Sequence, residues 1–359
     1  MARALELARR HGLYAGPNPR VGAVLVRKGR VVGEGAHRRF GGPHAEVEAL
    51  ERAGSRARGS TLYVTLEPCS HHGKTPPCAD ALVRAGVRRV VSAMGDPDPR
   101  VSGRGFARLR AAGVKVEHGL LEAAARSLNT GFVFSMKKKR PLVTLKAAVT
   151  LDGKIATAQG RSRWITGREA RQAVHGLRSR VDAVLVGVST VLKDDPRLDV
   201  RLEGWVRRDG WPLRVVLDSG LRTGIRSKAL LGDQRTLLFC SRGASPARQR
   251  ALERVGAEVE RVGSRDGKLD LKAVLRSLHQ REVRHLLVEG GGKVHASFLA
   301  ARLADRVALF LSYKMLGGEK APTWLEGAGG ADPNRCPRLT DVVRADLGED
   351  LLISGKVVY

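Results

Sequence analysis

The spacing of apolar and polar positions switches repeatedly along this chain. Between residues 44 and 53, Ala45, Val47, Ala49 and Leu50 recur at helical spacing. The pattern predicts further helices at 2–11, 78–85 and 103–112. Between them lie short runs rich in valine and leucine, which predict strands at 21–27, 30–36, 61–65, 87–93 and 114–118. The first two strands face each other across Lys28-Gly29 as a hairpin.

A second pattern begins at Pro141. Strands are predicted at 142–148, 181–187, 213–218, 235–240, 284–289 and 306–311, and helices at 167–178, 246–255, 271–279 and 294–301. The run at 181–187 is apolar throughout, as in a strand buried on both faces. Such strands alternating with helices imply a mostly parallel sheet covered on both sides. The basic run Lys137-Lys138-Lys139-Arg140 precedes the restart and reads as a linker, which places one α/β domain at 1–139 and another at 140–359. Two domains suit 359 residues, since single cores stop growing at ~250–300.

Composition narrows the class. Hydrophobic residues at 42% and charged residues at 28% exclude a mainly disordered chain. No apolar run approaches the length of a membrane span, and the first ten residues lack the apolar core of a signal peptide. A soluble, cytoplasmic protein with no membrane partner is expected. Lysine and arginine total 64 against 36 acidic residues, a net charge of +28. Such an excess points to a partner bearing phosphate, or equally to a bias toward arginine spread over the surface. Aromatic residues at 4% provide few platforms for stacking bases, so nucleic acid is not expected as the main partner. A basic nucleic-acid-binding protein on a deaminase-like fold stands as the alternative.

Of four cysteines, Cys240 closes an apolar run and reads as core, while Cys336 lies in a polar loop. Cys69 and Cys78 keep different company. His44-Ala45-Glu46 opens a helix, Pro68-Cys69 follows a strand, and Cys78 starts another helix. One imidazole and two thiolates make three tetrahedral zinc ligands with the fourth position open, as in catalytic sites where the metal lowers a water's pKa toward ~7. Glu46 is placed to move a proton from water to a leaving amine, as in zinc nucleobase deaminases. Each residue alone is commonly structural; their conjunction carries the reading. His71 and His72 are rival donors but crowd Cys69 too closely to replace Cys78.

The stretches Pro17-Asn18-Pro19-Arg20-Val21-Gly22, His44-Ala45-Glu46 and Thr65-Leu66-Glu67-Pro68-Cys69-Ser70-His71-His72-Gly73-Lys74-Thr75-Pro76-Pro77-Cys78 resemble the bifunctional riboflavin-biosynthesis deaminase/reductases. Eight residues separate the two cysteines here, where the general deaminase signature has two. The resemblance implies a cytidine-deaminase-like α/β/α domain holding one Zn2+ on His44, Cys69 and Cys78, with Glu46 catalytic. It also implies substrate contacts from Asn18, His71 and Lys74. Asp96 and Asp98 sit in Asp-Pro turns and are equally well read as structural.

The second half has no G-x-G-x-x-G after a strand and no P-loop. Glu289-Gly290-Gly291-Gly292-Lys293 does join a strand to a helix, where exposed backbone N–H groups favour an anion. Such a loop alone is equally a tight turn. Lys146-Ala147-Ala148-Val149-Thr150-Leu151-Asp152-Gly153-Lys154, Ser162-Arg163-Trp164-Ile165-Thr166 and Thr190-Val191-Leu192-Lys193-Asp194-Asp195-Pro196 resemble the same family's reductase domain. That resemblance implies a dihydrofolate-reductase-like α/β fold using NADPH. It assigns the cofactor to Ala148, Trp164, Thr190, Asp194, Ser219 and the loop Gly291, Gly292, Lys293, Val294, His295, Ala296 and Ser297. Trp164 also fits a core aromatic. Substrate falls to Ser162, Arg178, Leu198, Arg201 and Glu289, with Arg178 and Arg201 as phosphate forks. Lys146, Asp194 and Glu289 become the catalytic candidates. The implied substrate is 2,5-diamino-6-ribosylamino-4(3H)-pyrimidinone 5′-phosphate, deaminated and then reduced from ribosyl to ribityl. Homo-oligomerisation is left open.

Overall fold

A computed structural model describes residues 1–11, 16–70, 76–202 and 212–359, so His71 and Lys74 lie outside the described residues. The chain forms two compact units, Met1–Lys139 and Arg140–Tyr359. Among the described residues, no helix is long and apolar enough to cross a membrane.

The first unit runs α1 (Ala2–His11), β1 (Gly22–Arg27), β2 (Arg30–Ala36), α2 (Ala45–Ala53), β3 (Thr61–Val64), α3 (Cys78–Arg84), β4 (Arg89–Ser92), α4 (Arg104–Ala111), β5 (Lys115–His118), α5 (Glu122–Leu128) and α6 (Thr130–Lys138). The sheet order is β2-β1-β3-β4-β5. β1 is antiparallel to both neighbours, while β3, β4 and β5 are parallel. Side chains alternate across it: Ala23 and Leu25 join Ala45, Ala49 and Leu82 in one cluster, and Val24 turns the other way onto Ala4 and Leu7 of α1. Helix α2 lies unusually close to the sheet. A Cβ on Gly35 would come within 2.1 Å of the Ala45 carbonyl, so β2 needs glycine there.

The expected linker is structured. Lys137 and Lys138 complete the last turn of α6, where cations favour the helix dipole, and Lys139 caps it at φ 55°. Arg140 then donates two hydrogen bonds, of 2.7 and 2.8 Å, to Asp305 of the second unit's own fold.

The second unit contains β6 (Leu142–Thr150), α7 (Arg168–Arg178), β7 (Ala183–Gly187), α8 (Val188–Asp194), β8 (Leu213–Leu217), β9 (Thr236–Ser241), α9 (Pro246–Arg254), β10 (Glu258–Val262), a ribbon of β11 (Ser264–Arg265) and β12 (Lys268–Leu269), α10 (Leu271–Gln280), β13 (His285–Gly290), α11 (Gly292–Ala300), β14 (Arg306–Ser312), β15 (Arg338–Leu347) and β16 (Asp350–Val358). Nine strands form one sheet in the order β10-β9-β8-β7-β13-β6-β14-β16-β15. The first seven are mutually parallel. The hairpin β15–β16 adds antiparallel to β14. Alternate residues of the central strands bury on opposite faces: Leu185, Val215 and Leu237 on one, Val184, Val216, Leu238 and Cys240 on the other. From β7 the chain moves outward through β8, β9 and β10, then returns on the other side of β7 as β13. This reversal opens a crevice beyond the carboxyl ends of β7 and β13, where open α/β sheets bind ligands.

Candidate functional site

In the first unit, one donor atom from each of His44, Cys69 and Cys78 falls within 4.8 Å of the others. His44 is the N-cap of α2, Cys78 is the first residue of α3, and Cys69 follows β3. His44 Nδ1 lies 3.0 Å from Cys78 Sγ and 3.6 Å from Cys69 Sγ. Tetrahedral zinc with N and S ligands spaces its donors by roughly 3.5–3.8 Å, so this set fits the ion after small adjustments. The Cys78 thiol donates to Cys69, which lowers the Cys69 thiol to about 4 and raises that of Cys78, so the pair shares one proton that a metal would displace on binding both sulfurs.

Glu46 sits in the first turn of α2, 4% exposed. Burial pushes its carboxyl up to about 7. Asn18 Nδ2 lies 3.0 Å from His37 Nε2, and His37 Nδ1 lies 3.0 Å from the Pro43 carbonyl. Because a carbonyl only accepts, Nδ1 carries the proton and Nε2 accepts from Asn18. The His37 ring also meets the His44 ring edge-on, with centroids 5.4 Å apart. Sequence reasoning passed over His37, since a lone histidine in a loop carries no distinguishing pattern.

Glu67, just before the Pro68-Cys69 pair, was also missed. It is 3% exposed and accepts the backbone N–H groups of Asp96, Gly103, Gly105 and Phe106 at 2.9–3.2 Å. Asp98 accepts from Arg100 and from its own loop, a structural role, while burial raises the Asp96 carboxyl to about 7.

In the second unit, a cavity of about 500 Å³ occupies the crevice. Lys146, Ala148 and Ser162 line it, as do Trp164, Arg178 and Thr190. Asp194, Arg201 and Glu289 face it too, together with the loop from Gly291 to His295. The glycines answer to packing: a Cβ on Gly292 would lie 2.3 Å from the Thr323 carbonyl, and Gly291 adopts φ 82°.

Lys146, Arg178 and Glu289 form a buried triad. Arg178 Nε and Nη2 donate to the two Glu289 carboxylate oxygens at 2.5 and 2.8 Å, and Lys146 Nζ lies 3.5 Å from Oε2. Burial alone would raise the Glu289 carboxyl, but Arg178 and Lys146 hold it at about 2. Burial moves the Lys146 ammonium the other way, downward. Arg178 is therefore not the free phosphate fork expected from its chemistry, because Glu289 already takes both prongs. Arg201 is more open: its side chain is 63% exposed, with Nε 3.3 Å from Asp199 Oδ1. Ser162 Oγ donates to Asp194 at 3.1 Å.

Other expectations need adjusting. Trp164 is not core: it is 63% exposed, with the Arg171 guanidinium 4.4 Å from its ring centroid. The His295 ring is buried between the Trp324 and Val288 carbonyls at 3.1 and 3.2 Å; burial favours the neutral ring, whose single N–H donates to one of the two. Ser219, Leu198, Ala296 and Ser297 are not among the described residues lining the cavity. Leu198 is core, Ser219 accepts from Ser241 through its carbonyl, and the Ser297 hydroxyl donates to the Lys293 carbonyl.

Family comparisons agree with this division. Residues 1–94 match the cytidine and deoxycytidylate deaminase zinc-binding region, and residues 141–353 match the RibD C-terminal domain. The chain thus joins a zinc-binding, cytidine-deaminase-like domain to a reductase domain of dihydrofolate-reductase-like fold. The riboflavin biosynthesis protein RibD of Aquifex aeolicus is 44% identical over 88% of this chain and 87% of its own length. That of Synechocystis is 42% identical over 99% and 95%. Acinetobacter baumannii RibD superposes with a TM-score of 0.91 at 36% identity, covering 100% of this chain and 98% of that one. A Thermotoga maritima diaminohydroxyphosphoribosylaminopyrimidine deaminase/5-amino-6-(5-phosphoribosylamino)uracil reductase gives 0.83 at 38% identity, covering 100% and 97%. This chain belongs to the RibD family of riboflavin biosynthesis proteins.

Proposed function

We infer that this chain is a bifunctional enzyme that deaminates a phosphorylated diaminopyrimidine and then reduces its ribosyl group to ribityl. The reading rests above all on two separate polar sites in one chain: the His44–Cys69–Cys78 cluster with buried Glu46, and the Lys146–Glu289–Arg178 triad at the sheet crevice.

His44, Cys69 and Cys78 would hold a zinc ion, which when bound would supply a Lewis acid that lowers a water's pKa to ~7. Glu46 takes the proton from the attacking water and delivers it to the departing ammonia. Asn18, oriented by His37, binds the pyrimidine edge; His71 and Lys74 remain assigned to substrate.

NADPH supplies hydride to the ribose C1′. Ala148, Trp164, Thr190 and the loop at 291–295, which line the crevice, would hold that cofactor. Once hydride is supplied to C1′, the bond from C1′ to the ring oxygen would break and Lys146, which lines the cavity, would give that oxygen its proton. Glu289 keeps Lys146 charged and placed, while Asp194 and Ser162 border the sugar.

The test is an assay of the diamino substrate with and without NADPH. Ammonia should appear in both cases, and NADPH loss should follow deamination. NADPH loss with no preceding ammonia, or no ammonia at all, would overturn the scheme.

Arg201 is the phosphate ligand in this scheme. A charge-assisted hydrogen bond contributes roughly 1.5–3 kcal/mol, so Arg201→Ala should lower reductase kcat/KM by about ten- to a hundredfold. Arg201→Lys should recover only part, because a point charge cannot copy the two-pronged geometry. Ammonia release should not change. A dephosphorylated substrate should be equally poor for Arg201→Ala and the parent; an equal loss on both substrates would make Arg201 structural.

A further inference from the structure

The cavity of the second unit contains an imidazole with no role so far. His175 lies on α7, one turn before Arg178, and lines the cavity beside Arg201. Its Nδ1 accepts the Arg201 backbone N–H at 3.2 Å. A nitrogen that accepts carries no proton, so the proton of the neutral ring is on Nε2. That Nε2–H stands 3.5 Å from Arg201 Nη2, which also carries only protons. Two donors cannot satisfy each other, and among the described residues the ring's other hydrogen bond is the one that Nδ1 accepts. The Arg201 guanidinium turns its Nε to Asp199 and leaves Nη2 beside the ring. The adjoining segment is fixed from below, since Arg178 Nη1 donates to the Asp199 carbonyl at 2.9 Å.

We propose that His175 Nε2 and Arg201 Nη2 form a two-donor grip on one phosphate group of the reductase substrate. The inference rests on the reading above that Arg201 meets that phosphate. Burial and the neighbouring Arg178 and Arg201 charges lower the His175 pKa, which keeps the ring neutral and its tautomer fixed before the anion arrives. Histidine here does two jobs at opposite ends of one ring: Nδ1 places the Arg201 backbone, and Nε2 binds the ligand.

Three substitutions in the full chain separate these jobs. His175→Asn keeps an acceptor near Nδ1 and removes the distal donor. His175→Gln reaches out with an amide N–H in place of Nε2. His175→Phe removes both groups but keeps the ring. Ribose 5-phosphate binding is measured by calorimetry, with reductase kinetics on the phosphorylated and dephosphorylated substrates. His175→Asn and His175→Phe should each raise KM for the phosphorylated substrate about tenfold, leave kcat within about twofold, and weaken ribose 5-phosphate by a similar factor. His175→Gln should recover most of this, and the dephosphorylated substrate should not distinguish the variants. Normal ribose 5-phosphate binding by His175→Asn, or equal losses on both substrates, would overturn the proposal. Arg201→Ala tells the two readings apart. If it weakens ribose 5-phosphate and His175→Asn does not, only the histidine assignment fails; if neither does, the phosphate is bound elsewhere.

Discussion

Glu46→Gln should still bind zinc and yet release ammonia about 10²–10⁴ times more slowly, the usual contribution of a general acid/base. The amide has nearly the shape of the carboxyl but cannot accept a proton. Glu46 is buried on α2 and is not among the three clustered donors, so metal analysis should give one zinc per chain before and after the change. Cys69→Ser or Cys78→Ser should lose the metal as well as the activity. The reductase, supplied with the deaminated intermediate, should be unaffected by Glu46→Gln. A variant retaining more than about a tenth of the parent deaminase rate would remove Glu46 from the proton path.

Glu289→Ala should be the most damaging single change in the second unit. It leaves Lys146 and Arg178, side chains only 13% and 11% exposed, without their shared counter-charge. Removing one partner of a buried ion pair costs about 3–5 kcal/mol. For a domain of this size that corresponds to a fall in Tm of roughly 6–20 °C. Reductase turnover should vanish while ammonia release persists. Acid provides a further check. The Glu289 carboxyl titrates at about 2 in the folded chain, against 4.5 for an ordinary glutamate. A depressed carboxylate contributes stability that is complete above the unfolded pKa and is lost as pH falls through the folded one. The stability gap between parent and Glu289→Ala should therefore hold from neutral pH to about 4.5 and narrow between there and about 2. A gap independent of pH across that window would mean that the carboxylate's charge is not what matters.

Most of the fold was legible because its strands and helices each turn an apolar face to a core. The helix expected at 44–53 is observed as Ala45–Ala53, and the strand expected at 306–311 as Arg306–Ser312. What escaped notice lacks that contrast. Helices α5 and α6 are short and separated by Asn129 alone, so their periods run together. β10 alternates charge with valine at a sheet edge. β15 is exposed along most of its length, and its partner β16 is only partly buried, so neither has a clear inner face.

The zinc ligands could be read from sequence because residue type and local context identify them. The triad could not, since Arg178 and Glu289 lie 111 residues apart and nothing local shows that they face each other. For the same reason Arg178 looked like a free phosphate fork. His37 and His175 were invisible because their partners are, respectively, the Pro43 carbonyl with the Asn18 amide, and an arginine's backbone. Such pairings depend on chain path, which composition and spacing do not encode.

The four backbone groups gathered by Glu67 also bear on motion near the metal. The carboxylate is anchored one residue before Pro68-Cys69, and the amides it holds span Asp96 to Phe106. Opening either segment alone would strand a buried negative charge or orphan several N–H groups, and each outcome is costly. The two segments should therefore open together, and hydrogen exchange should show their amides becoming labelled through a common event. The backbone leading into Cys69 is thus tied through Glu67 to the start of α4, more than thirty residues further along the chain.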